Sequence, residues 1–128
     1  MGESIMRFDL EPELAQLREQ PAYGTGAPTG KTLVKQRDLR IVLMTLQAGG
    51  RLEKHHASGP ISIQALAGRF RLQLPGETVD LERGQLLALD PGVYHDVEAI
   101  DNCAFLLTLG RTHYVDVSEH HEPEAHAD

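Results

Sequence analysis

The chain has no tryptophan, three phenylalanines, three tyrosines and a single cysteine in 128 residues. So few rings leave little for the stacking platforms that hold single-stranded nucleic acid or carbohydrate. One cysteine, Cys103, excludes an intrachain disulfide and fits a reducing cytoplasm. Basic residues are also scarce: 12 Lys and Arg stand against 19 Asp and Glu, a formal net charge of −7. Neither a nucleic-acid backbone nor an anionic membrane surface is the expected partner, because both reward clustered cations. No apolar run approaches the ~18 residues of a membrane span. The first six residues have no basic and apolar signal regions, and Met6 stands where a myristoylation motif needs Ser or Thr. A soluble, unanchored chain is expected. No Ser-His-Asp spacing, phosphate loop or nucleotide fingerprint is present, and Gly24-Thr25-Gly26 follows no strand and opens no helix.

What is present is organised as one domain with an arm and a tail. Leu10, Leu14 and Leu17 recur at helical intervals after Asp9, a candidate cap, which predicts a short amphipathic helix. Residues 21–30 hold three glycines and two prolines and read as an irregular linker. From Lys31 onward, short runs rich in Val, Ile, Leu and Thr alternate with turn residues, the pattern of an all-β sandwich or barrel. Strands are expected at 32–35, 40–46, 51–54, 61–66, 69–74, 77–81, 85–89, 95–98 and 104–109. In Phe70-Arg71-Leu72-Gln73-Leu74 the alternation sends apolar side chains one way and polar ones the other. The division is an arm and linker at 1–30, a barrel at 31–117, and a His- and Glu-rich tail at 118–128 expected to be disordered.

Two segments carry the chemistry. One runs Gly49-Gly50-Arg51-Leu52-Glu53-Lys54-His55-His56-Ala57-Ser58-Gly59-Pro60-Ile61 and on to Gly68; the other is residues 84–95, with Gly84, Pro91, Gly92 and His95. Together they resemble the two motifs of the cupin superfamily, small jelly-roll β-barrels, over about residues 32–109. The resemblance implies an all-β cupin-like jelly-roll barrel with a short N-terminal helix or arm, and relatives of this kind are commonly dimers. A homodimer is therefore expected, with the arm adding to a neighbour's sheet edge or covering its own.

In that family two histidines and a glutamate of the first motif, with the histidine of the second, hold a metal ion. Here His95 matches the last, while Ile61 falls at the glutamate. The two histidine positions fall on Lys54 and His56 or on His55 and Ala57, depending on one residue of loop length. Neighbours on a regular strand point to opposite faces, so His55 and His56 both enter the barrel only if a bulge intervenes. Two imidazoles make a poor transition-metal site, which usually takes at least three protein ligands. Gln64, polar within an apolar run, is the candidate further donor; Glu53, of the same strand parity as His55, and His113 are others. Cys103, in an apolar strand with no basic neighbour, reads as core.

The expected metal set is thus His55, His56, Gln64 and His95, holding a divalent transition metal (Zn, Fe, Mn or Ni). The expected ligand pocket is lined by Ile61, Ile63, Phe70, Leu72 and Tyr94. Two functions follow: a barrel binding a metal and a small organic molecule, with oxygenase or isomerase chemistry, or a metal-free, non-catalytic effector-binding or structural module. The loss of the family glutamate favours the second. The tail histidines His120, His121 and His126 are a source of adventitious metal binding.

Overall fold

A computed structural model describes residues 5–111. The tail at 118–128 and His113 lie outside the described residues. Helix α1 spans Leu10–Arg18 and a helical turn α2 spans Pro21–Gly24. Nine strands follow: β1 Thr29–Lys35, β2 Leu39–Leu46, β3 Arg51–His55, β4 Ile61–Ala67, β5 Arg69–Leu74, β6 Glu77–Glu82, β7 Leu86–Leu89, β8 His95–Ala99 and β9 Cys103–Gly110. They form a five-stranded sheet in the order β1-β2-β9-β4-β7 and a four-stranded sheet in the order β3-β8-β5-β6, antiparallel throughout. The strand order skips back and forth through the sequence, as a jelly roll requires.

The two inner faces meet in an aliphatic core. Ile63, Phe70, Leu72 and Phe105 are fully buried, with the Phe70 and Phe105 rings 4.8 Å apart. Period-2 alternation puts them there: Ile61, Ile63 and Ala65 are buried on β4, and Phe70 and Leu72 on β5. Cys103 belongs to the same core, and burial pushes its thiol up to about 12, which leaves an inert side chain.

The arm differs from expectation in three respects. Residues 21–30 are not wholly irregular, because Pro21 opens a helical turn and β1 begins at Thr29. Asp9 occupies the N-cap but makes no side-chain capping bond. The helix is held by packing instead. Leu14 and Leu17 are buried against Leu43 and Ala104, with Leu10, Leu33 and Leu106 around them, and Lys31 reaches Glu13 at 2.6 Å. The arm therefore covers the outer face of the five-stranded sheet rather than an edge. That leaves the inner face of β2 and β9 to build a cavity. No described helix is long and apolar enough to cross a membrane.

Candidate functional site

One end of the barrel stays open as a cavity of about 210 Å³. Its first wall is the β2–β9 ladder. Arg40 pairs with Leu109 and Val42 with Leu107, and these four with Met44 line the space. The facing wall comes from β3 and β8, through Leu52, His55 and His95; the segment after β3 adds His56 and Ala57, and Ile61, at the start of β4, extends the first wall.

A β-bulge sets the histidines. Leu52 pairs with Val97 and His55 with His95, so β3 spends three steps where β8 spends two. The extra residue brings His55 to the face of Leu52, and both point inward. The same slip breaks the shared parity of Glu53 and His55. Glu53 is exposed, and its backbone carbonyl accepts from His55 Nδ1–H at 2.7 Å. His95 Nδ1–H donates to the Val93 carbonyl at 3.1 Å. With Nδ1 the donor in each ring, Nε2 of the neutral imidazole is left as an acceptor. The ring centroids are 4.3 Å apart.

His95 is buried, and desolvation pushes its pKa below the ordinary 6.5, aided by the nearby His55 and His56 and opposed by the Val93 carbonyl and Asp96. An imidazole whose pKa is depressed on folding binds fewer protons than in the unfolded chain. Its contribution to stability is therefore complete above pH 6.5 and is lost as pH falls from there toward the folded value. The slope in that window is at most about 1.4 kcal/mol per pH unit. Melting curves between pH 7.5 and 5 should show a fall in wild type that is smaller in His95→Gln; parallel curves would assign the acid sensitivity elsewhere.

Of the residues expected at a metal, His55, His56 and His95 line the cavity, with the His56 ring also against Tyr94 at 4.4 Å. Gln64 does not. It is exposed on the outer face of β4, because alternation turns Ser62 and Gln64 away from the side of Ile61, Ile63 and Ala65. Of the expected pocket residues only Ile61 lines the space. Ile63, Phe70 and Leu72 are consumed by the core, and Tyr94 is 47% exposed, with Lys54 Nζ 5.7 Å from its ring centre. Arg40, Val42, Met44, Leu52, Leu107 and Leu109 line it beyond the expected set, although the alternation of Arg40, Val42, Met44 and Leu46 on one face of β2 is readable in the sequence. Among the described residues no three His, Cys, Asp or Glu side chains gather into a metal-holding group.

No family model and no curated protein matches the sequence. Solved structures do. An RmlC-like cupin from Desulfovibrio desulfuricans matches at 22% identity and TM-score 0.64, over 72% of this chain and 90% of its own. A cupin-2 domain protein from Shewanella frigidimarina matches at 11% identity and TM-score 0.65, over 81% and 94%. A conserved protein of unknown function from Streptococcus pyogenes matches at 24% identity and TM-score 0.64, over 68% and 76%. The chain thus has the cupin jelly-roll fold. His55, His56, Ala57, Ile61 and His95 all line one cavity, whereas Lys54 does not.

Proposed function

We propose that this cupin-fold protein binds a small organic molecule in the barrel cavity, without a resident metal ion. The observation that supports this reading is the cavity's composition. Val42, Met44, Leu52, Ala57, Ile61, Leu107 and Leu109 surround two imidazoles that offer Nε2 acceptors. An apolar wall with a few convergent polar groups is the usual form of a small-molecule site. His55, His56 and His95 all line the cavity, but among the described residues no three such side chains gather into a metal-holding group, so they do not fit the expected divalent metal. The ligand's apolar body would displace water from the aliphatic wall, and a donor group it carries, such as a hydroxyl, would meet Nε2 of His55 or His95.

Titration of hexan-1-ol into the full chain, followed by amide chemical shifts, tests the reading. Saturable shifts at His55, His95 and Leu107 are expected, with Kd on the order of 1 mM, about 4 kcal/mol. Ala57→Phe, which fills the cavity, should abolish them. Absence of saturation in wild type, or an unchanged response in Ala57→Phe, would refute binding in the barrel.

A further inference from the structure

Immediately outside the cavity lies a second, larger concavity of about 480 Å³. Among the described residues it is lined by Lys35, Arg37, Arg40 and Arg111, with Asp38 as the one acidic side chain. It shares Arg40, Ala57 and Leu109 with the barrel cavity, so the two spaces are direct neighbours. Four of the chain's 12 basic residues therefore converge at the mouth of one apolar pocket, in a protein whose net charge is −7. This local reversal of sign is set by the fold. The β1–β2 turn supplies Arg37 and the end of β9 supplies Arg111, which are tied together by donation from Arg111 Nη1 to the Arg37 carbonyl at 3.3 Å.

We infer that the ligand is an amphiphilic anion, with an apolar body in the barrel and an oxyanion head group, such as a carboxylate, at the arginines of the mouth. The inference rests on the cavity reading above and extends it to ligand class. Arg40 carries the junction. It sits half-buried on the inner face of β2 and pairs with Leu109, so its guanidinium is flanked by apolar wall on one side and the basic concavity on the other. Charge interactions strengthen where low-dielectric walls exclude water, and a cleft lined by one sign concentrates counter-ions. The guanidinium fork also matches an oxyanion in geometry as an ammonium does not. The barrel cavity has the volume of about seven waters, which suits a chain of roughly six carbons.

The test compares hexanoate, hexan-1-ol and hexylammonium by calorimetry on the full-length protein, in wild type, Arg40→Gln and Arg111→Gln. Hexanoate is expected to bind about tenfold more tightly than hexan-1-ol, the difference between a charge-assisted and a neutral hydrogen bond. High salt should shrink that preference. Arg40→Gln should remove it and Arg111→Gln reduce it, with hexan-1-ol affinity unchanged in Arg111→Gln, which lies outside the barrel cavity. Equal affinities for hexanoate and hexan-1-ol, or a preference for hexylammonium, would overturn the anionic head group and leave the cavity reading standing. If hexan-1-ol and hexanoate both fail to bind folded wild type, both are overturned. A preference for hexanoate that survives in both folded variants would overturn the assignment to the arginine mouth.

Discussion

Substituting Ala57 by His and Ile61 by Glu together is expected to create a chain that takes up one divalent transition metal in the barrel. Both positions line the same cavity as His55 and His95, and each is only 7% exposed. The double variant would bring three imidazoles and one carboxylate around one space, a donor number that zinc, iron and manganese accept. Without metal the new glutamate is a buried carboxylate facing an aliphatic wall, so the apo variant should be less stable than wild type by several kcal/mol. Metal should reverse this. At a free concentration about 1,000 times Kd, a metal that binds only the folded state contributes about 4 kcal/mol. Thermal melts with and without zinc should then separate by about 10 °C or more in the double variant and much less in wild type. Tail histidines His120, His121 and His126 are common to both chains, so the difference isolates the barrel. Adding His95→Ala should cancel the gain. A folded double variant with no zinc-dependent rise would mean that the four positions do not converge, and the loss of a family metal site could not then be read from Ala57 and Ile61.

The fold was legible because each strand carries its own period. All nine predicted strands are present, and no boundary but one lies more than a single residue from its expected place. The exception is β1, which starts at Thr29 because a buried hydroxyl pair between Thr29 and Thr45 extends the ladder into a stretch whose glycine and proline content read as a break. The site was less legible, for a reason also found in particular residues. Strict alternation decides inside from outside only while a strand is regular. On β4 it is regular, and it sends Gln64 outward although its polarity among apolar neighbours suggested a pocket role. On β3 the bulge between Leu52 and His55 inserts one residue, and no residue type announces that insertion. That His55 shares the inward face of Leu52 therefore follows from the ladder and not from residue type. Phe70 and Leu72 show the other limit: sequence identifies an inward side chain without telling whether it lines a space or fills one, which depends on Phe105 arriving from β9.

Gly68→Ala should be the most destabilising of three glycine substitutions, because two separate costs fall on it. Gly68 is the one-residue link between β4 in one sheet and β5 in the other, and its φ is +68°. A Cβ there would stand 2.1 Å from the backbone carbonyl oxygen of Asn102, in the turn joining β8 to β9. That turn is itself anchored, since the Asn102 side chain accepts from the Ala48 amide at 2.8 Å. Gly76 has φ +76° but open space around a Cβ, so Gly76→Ala reports left-handed strain alone, about 1–2 kcal/mol. Gly59 has the reverse condition. Its φ is not positive, but a Cβ would meet the Gly110 carbonyl oxygen at 2.1 Å, so Gly59→Ala reports backbone displacement, about 1–3 kcal/mol. Carrying both, Gly68→Ala should lose about 2–5 kcal/mol in urea unfolding. It should also pull the sheets apart at the end where the β4–β5 link meets the β8–β9 turn. Gly59→Ala should act nearer the cavity, since Gly59 and Ala57 line the basic mouth together. It should weaken hexanoate binding as well as stability, whereas Gly76→Ala should leave binding intact. A Gly68→Ala chain as stable as Gly76→Ala would show that the crossing between sheets can relax, and the close approach to Asn102 would then explain nothing about why glycine stands there.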